Sequence, residues 1–401
     1  MAEMDPVAGT APVSDLDPFS DDYIRSPYPF HQQLREAGPV VFLDKYKVHA
    51  VGRYAEVRGI LEDAATFCSG AGVGLANFHK DPPWRAPSMV LETDPPDHTR
   101  NRAVISRAVS PAALRALRAG FEAEANRLVD SLLDRDSFDA VKDMGEPFPL
   151  RVFADAIGLM EDSRQHLIAY GNMVFNGMGP RNKLYDNAME NAEEVAGWVW
   201  NACQRKNLSP DGLGIRIFDA VDAGILTDEE GARLVRSFLS AGVDTTANAI
   251  ANALYCFASN PDQWQALRAN PDLSRAAFEE ILRFESPFQT FFRTTTREVE
   301  LAGVTIGADE KIMLSLGSAN RDPRQWSEPD RFDISRSTAG HVGFGAGIHG
   351  CVGQMIARLE LEVVLRALAT RVATIEITGE PRHLLHNTLR GFEYLPVRLG
   401  S

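Results

Sequence analysis

Cysteine is scarce in this chain: four in 401 residues, at positions 68, 203, 256 and 351. No two form a CxxC pair and no dense framework emerges, so neither a zinc cluster nor a disulfide scaffold is indicated, and a reducing compartment fits best. Long apolar runs are missing as well. No stretch approaches the ~18 residues of a membrane span, and the opening MAEMDPVAGTAPVSDLDPFS lacks the basic start and apolar core of a secretory leader. The expectation is a soluble, cytoplasmic protein. Positive charge is short, with 41 Lys and Arg against 55 Asp and Glu, a net charge of −14. The overall field therefore repels phosphates, and neither nucleic acid nor an anionic membrane is an expected partner. Repeats, low-complexity tracts and any flavin or iron–sulfur segment are also missing.

What is present is ordinary globular material, 44% hydrophobic and 24% charged, in a chain long enough to bury a large core around a closed pocket. Residues 1–20, rich in Pro, Ala, Asp and Ser, are expected to lack fixed structure, with Tyr28-Pro29 opening the first helix. Residues 40–51, VVFLDKYKVHAV, read as a β-hairpin. Apolar residues recur at helical spacing over 110–134, 162–206 and 228–259. The last of these starts at a capping-box pattern, Thr227 with Glu230, and is limited by Pro261. It predicts one rod of roughly 45 Å at ~1.5 Å per residue. Strands follow over 298–317, and a final hairpin lies in 374–399. The fold class is mainly α with small β-sheets, not an alternating βαβ pattern.

Three stretches carry chemistry. In Phe344-Gly345-Ala346-Gly347-Ile348-His349-Gly350-Cys351-Val352-Gly353, glycines allow tight turns and close approach of a flat group, and Cys351 stands just before a helix. A thiolate there, near backbone N–H groups and the positive end of the dipole, is expected to be held ionised and able to ligate iron; a buried, inert cysteine is the plainer reading. Ala241-Gly242-Val243-Asp244-Thr245-Thr246 puts a glycine and two hydroxyls inside a helix that propensity would fill otherwise. Glu280 and Arg283 share one helical face, alone no more than an ordinary ion pair.

Together these stretches resemble the cytochrome P-450 superfamily. The Phe-Gly-Gly-His-Cys-Gly order is similar to its haem-ligand loop, 241–246 to its oxygen-activating segment, and Glu280-x-x-Arg283 to its structural Glu-x-x-Arg element, with Arg331 the candidate third partner. The resemblance implies one domain over 1–401 with the P-450 fold, a triangular helix-rich prism whose long central helix crosses over haem b. It implies Cys351 as the iron ligand, with Phe344 and Gly353 beside it. Thr245 becomes the hydroxyl and Asp244 the proton relay of dioxygen activation. His98, Arg102, Arg293 and His349 would clamp the haem propionates. Electrons would come from NAD(P)H through a ferredoxin reductase and an iron–sulfur ferredoxin, with Arg358 guiding the docking.

A closer likeness runs over 80–88, 174–177, 234–240 and 284–293, which resemble bacterial P-450 enzymes that demethylate para-methoxybenzoate. It implies that Arg85, Ser88 and Ser237, with Arg236 nearby, hold a benzoate carboxylate. Leu91, Phe175, Met178, Ser240, Ala241, Phe288 and Phe291 would line the rest of the site. Two positions depart from that pattern: Phe288 where the subgroup carries valine, and Met178 where it carries phenylalanine. The alternatives are oxidation of another small aromatic or alicyclic acid, a non-catalytic haem-thiolate sensor, and peroxide-driven chemistry.

Overall fold

Helices carry about half of the chain in the computed structural model, which describes residues 9–400 except 134 and 161. The architecture is mainly α with small sheets, as the spacing of apolar residues predicts. A six-stranded sheet orders Val13–Ser14, Val41–Leu43, Val48–Val51, Lys311–Ser315, Thr290–Thr295 and Phe67–Cys68. The hairpin expected over 40–51 pairs Val41 with Ala50 and Leu43 with Val48. Lys311–Ser315 runs through the middle, buried at every position, which suits a strand paired on both sides. The chain closes on Thr374–Ile377 against Pro396–Gly400, with Phe138–Asp139 added at the edge.

Three expectations about the elements are corrected. The segment before residue 20 is built into the fold from Gly9 onward; residues 1–8 lie outside the described residues. Val13–Ser14 pairs in parallel with Phe42 and Leu43, and Leu16 and Phe19 are buried. Helix therefore starts at Asp21–Arg25, capped by Ser20, before Tyr28. Pro27 then takes the first position of Pro27–Ala37, where its missing N–H costs nothing.

The periodicity over 162–206 resolves into His166–Asn176, Lys183–Ala188 and Ala192–Ala202. Gly177-Met178-Gly179-Pro180 interrupts it, because Pro180 cannot continue a helix, and Asn182 caps the next piece by accepting from Tyr185 N. The rod over 228–259 is two helices, Asp228–Leu239 and Asp244–Ser259. Both bonds of the Thr227 capping box are made. The break at 240–243 has a cause in packing. Ala241 O accepts from the Thr245 hydroxyl at 2.9 Å, and Gly242 lies against Phe153, where a methyl group would sit 2.0 Å from the ring.

The Gln354–Arg371 helix packs on Pro111–Leu133 and Ser274–Glu285, bringing the cysteine loop below the Asp244–Ser259 helix. Trp264, Phe148, Phe257 and Phe278 are among the largest fully buried side chains. Among the described residues, no helix is long and apolar enough to cross a membrane.

Candidate functional site

Cys351 stands between the turn Gly347–His349 and the Gln354–Arg371 helix, its N–H donating to Phe344 O at 2.8 Å. Gly345 and Gly347 adopt φ of +70° and +67°, in the left-handed region that L side chains avoid. A methyl group at Gly347 would also lie 2.3 Å from Leu61 O, so the loop seats directly on the end of the Tyr54–Glu62 helix. Burial pushes the Cys351 thiol up, against the pull of the Gly353 and Gln354 N–H groups and the Arg102 and Arg358 guanidiniums. The helix start alone therefore does not offset that burial. A cation bound to the sulfur would.

Four nitrogen-bearing side chains converge beside this loop. His98 and His349 have ring centroids 4.2 Å apart; among the described residues neither His98 Nε2 nor either His349 ring nitrogen has a hydrogen-bond partner. Burial, followed by His349 and Arg102, pushes His98 down to about 4. Buried Arg293 is pushed down to about 10 by desolvation and donates to Phe292 O. Arg102 donates to Gly350 O at 2.6 Å. The carboxylate of Asp94 is taken by Ser69 and Gly70 N–H and stays 3.8 Å from His349 Nε2. Two carboxylates presented to this wall would satisfy its orphan donors, so the residues fit the propionates of a haem. Among the described residues no cluster of three His, Cys, Asp or Glu side chains could hold a metal ion, so a metal at Cys351 must bring further donors with it.

Across the cavity, Thr245 lines the wall beside Ala241, Gly242 and Thr246. Asp244 points away into the protein, buried, with Oδ1 unpartnered among the described residues. Desolvation first, then Glu146, pushes its carboxyl well up, while Lys142 opposes them. A methyl group at Gly171 would fall 2.1 Å from Asp244 Oδ2, so that glycine makes the room. The residue missed by sequence reasoning here is Glu360, which reaches the cavity from the Gln354–Arg371 helix. It accepts from Thr246 Oγ1 at 3.2 Å and is pushed up to about 8 by burial. Its signal was a carboxylate set among inward-facing apolar positions.

The far end of the cavity holds Ser88 and Ser237, with hydroxyl oxygens 3.5 Å apart. Leu91, Ser240, Ala241 and the rings of Phe175, Phe288 and Phe291 complete that region. Phe288 stacks on Phe291 at 4.4 Å and meets Phe175 edge-on at 5.3 Å. Two expectations change. Arg85 lines the cavity but already gives its terminal nitrogens to Glu92 at 2.9 and 3.3 Å. Met178, buried, lines an adjoining smaller cavity with Trp84 and Tyr185, not this one. Arg236 lines the main cavity, donates to Ala86 O and Pro87 O, and its charge is disfavoured chiefly by burial.

Behind the loop, Glu280 and Arg283 form a fully buried bidentate pair at 2.7 and 2.8 Å. The third partner is Arg336, whose Nε reaches Glu280 Oε1 at 3.3 Å. Arg331 offers its backbone carbonyl to Arg283 while its side chain pairs with Glu328 at the surface. The chain turns after Asp333, which orients Arg336 inward. Arg358, expected to steer a partner, is bound to Glu279 and Gln354 and stacked over Phe344 at 4.7 Å. Its charge is spent inside the fold.

The sequence pattern of the family described as Cytochrome P-450 matches residues 150–371. The chain is 56% identical to cytochrome P-450 CYP199A2 of Rhodopseudomonas palustris over 96% of its own length and 93% of that protein. It is 30% identical to the biotin biosynthesis cytochrome P-450 of Bacillus subtilis, covering 94% and 97% of the two chains. It also superposes on cytochrome P-450 CREJ in complex with (4-ethylphenyl) dihydrogen phosphate with a TM-score of 0.87, at 27% identity over 96% and 99% of the chains.

Proposed function

The chain belongs to the cytochrome P-450 family and is a haem-thiolate monooxygenase, and from that premise we propose that it oxidises a small para-substituted aromatic acid, foremost by O-demethylation of 4-methoxybenzoate. In this reading Cys351 is the iron ligand, and His98, His349, Arg102 and Arg293 take the propionates. The observation that carries it is the charge at the far end of the cavity. Arg85, Arg233 and Arg236 gather around residues 86–88 with Glu92 as counter-charge to Arg85. Cation is left over beside the Ser88 and Ser237 hydroxyls, and a carboxylate brought into this apolar cavity needs both. The relative solved with a para-substituted aryl phosphate supports an aromatic anion as the ligand class.

Bound haem supplies the chemistry of reducing dioxygen with two electrons and inserting one of its atoms into a C–H bond of the substrate. The residues of this chain orient and deliver protons. Ser88 and Ser237 donate to the carboxylate, and the three phenylalanines hold the ring so that its para substituent faces Cys351. Asp244, whose carboxyl burial pushes well up, relays protons toward the Thr245 hydroxyl from the Lys142 and Glu146 side. Oxidised at its methyl carbon, the ether collapses to 4-hydroxybenzoate and formaldehyde. Electrons come from NAD(P)H by way of a reductase and an iron–sulfur ferredoxin that approaches the cysteine side, where Ile348 and Met355 are exposed.

The test is a titration of the ferric protein with 4-methoxybenzoate, followed by turnover with a ferredoxin system. A shift toward high spin and equal yields of 4-hydroxybenzoate and formaldehyde are expected. A protein left low-spin and without product at millimolar ligand would refute this substrate. Turnover of a different small aromatic or alicyclic acid would then identify the second member of the class.

A further inference from the structure

Glu92 holds the acid end together without facing the main cavity. Its Oε2 accepts from Ser88 N at 2.6 Å and from Arg85 at 2.9 Å, and its Oε1 accepts from the other Arg85 terminal nitrogen at 3.3 Å. Both side chains are largely buried, 5% exposed for Glu92 and 13% for Arg85. Arg85 forms a wall between the main cavity and the smaller one lined by Trp84, Gly177 and Arg181; Glu92 approaches it from that second side. The fork that suits a carboxylate best is thus filled by a carboxylate of the chain itself. Among the described residues no such partner is given to Arg236, whose charged neighbours include Arg85 and Arg233.

We propose that Glu92 is a specificity-determining residue: by occupying Arg85 and pinning the Ser88 backbone, it makes the site select monoanionic acids through the Ser88 and Ser237 hydroxyls and Arg236. This rests on the reading of the cavity as an acid site. Two guanidiniums with free forks would hold an acid so firmly, and accept dianions so readily, that discrimination by shape would be lost. With Arg85 neutralised, the anion meets donors that a neutral amide also uses, plus the one uncompensated cation that lines the cavity, Arg236. The preference for acid over amide then measures Arg236, and Glu92 sets its ceiling.

Calorimetric titration of the haem-loaded full chain with 4-methoxybenzoate and 4-methoxybenzamide tests it. The native protein should bind the acid about tenfold or more tightly than the amide. Equal affinities there would overturn the acid reading itself, whatever Glu92 does. In Glu92→Gln the freed Arg85 should raise acid affinity by about tenfold and shift the amide by less than about threefold. A parallel loss for both ligands, or a loss for the acid alone, would reduce Glu92 to a purely structural role and overturn the proposal. A second comparison uses Arg85→Gln, expected to cost the acid about a hundredfold by leaving Glu92 unpaired, and R85Q/E92Q, expected to restore at least about tenfold of it. No restoration would mean that Arg85 is itself the acid's partner, which rejects the assignment.

Discussion

Asp244 owes its environment to a residue with no side chain. Gly171 leaves the space its carboxylate fills, since a methyl group there would lie 2.1 Å from Oδ2 and the Asp244 side chain itself would have to give way. In Gly171→Ala the carboxyl must leave its place against the His166–Asn176 helix. Product formation is expected to fall by about one to two orders of magnitude, the range of a displaced proton donor, with ligand affinity held within about threefold. A spectral titration beside single-turnover rates checks it; an equal loss in both would place the glycine in binding instead. At this scale the cysteine loop and the Asp244-Thr245 pair were legible in the sequence, because their chemistry needs neighbouring residue types in a fixed order. Glu92 was not. It lies in a proline-rich loop whose residues have no period, and only the folded chain brings it onto Arg85 and Ser88.

Elements were read well where local capping or turn chemistry governs them and less well where packing does. The hairpin over 40–51 and the Thr227 capping box follow from residues a few positions apart. The break at 240–243 does not, because a mid-helix glycine costs only about 1 kcal/mol in propensity and is compatible with an unbroken rod. What opens the helix is the Phe153 ring packed on Gly242, a contact from a distant segment. The Glu280–Arg283 pair makes the same point about partners, since Arg336 reaches it and the Arg331 side chain remains at the surface. Arg283→Met, which strands a fully buried carboxylate, should lower stability by about 3–5 kcal/mol. Arg331→Met should stay within about 0.5 kcal/mol, as a surface position does. Denaturant titration of both compares them directly, and equal losses would return Arg331 to the buried network.

For the whole molecule, one buried carboxyl tilts the dependence of stability on pH. Glu360 is pushed from 4.5 to about 8 by burial, so between those values the folded chain binds a proton that the unfolded chain has released. Stability from this group therefore falls as pH rises through that window and is flat beyond it. In Glu360→Gln that slope should disappear, leaving the variant relatively more stable than the native protein at pH 8 than at pH 5; an unchanged profile in urea titrations would refute the shift. The sequence by itself determined the family and the fold class and pointed to the cysteine loop and the proposed acid–alcohol pair, because each depends on residue types close along the chain or on a pattern repeated along an element. Only the tertiary structure decided which charges remain free. It spent Arg358 on Glu279 and Arg85 on Glu92, left Arg236 without an anion, and raised Asp244 and Glu360, because burial and pairing in space arise between segments that nothing in their local order connects.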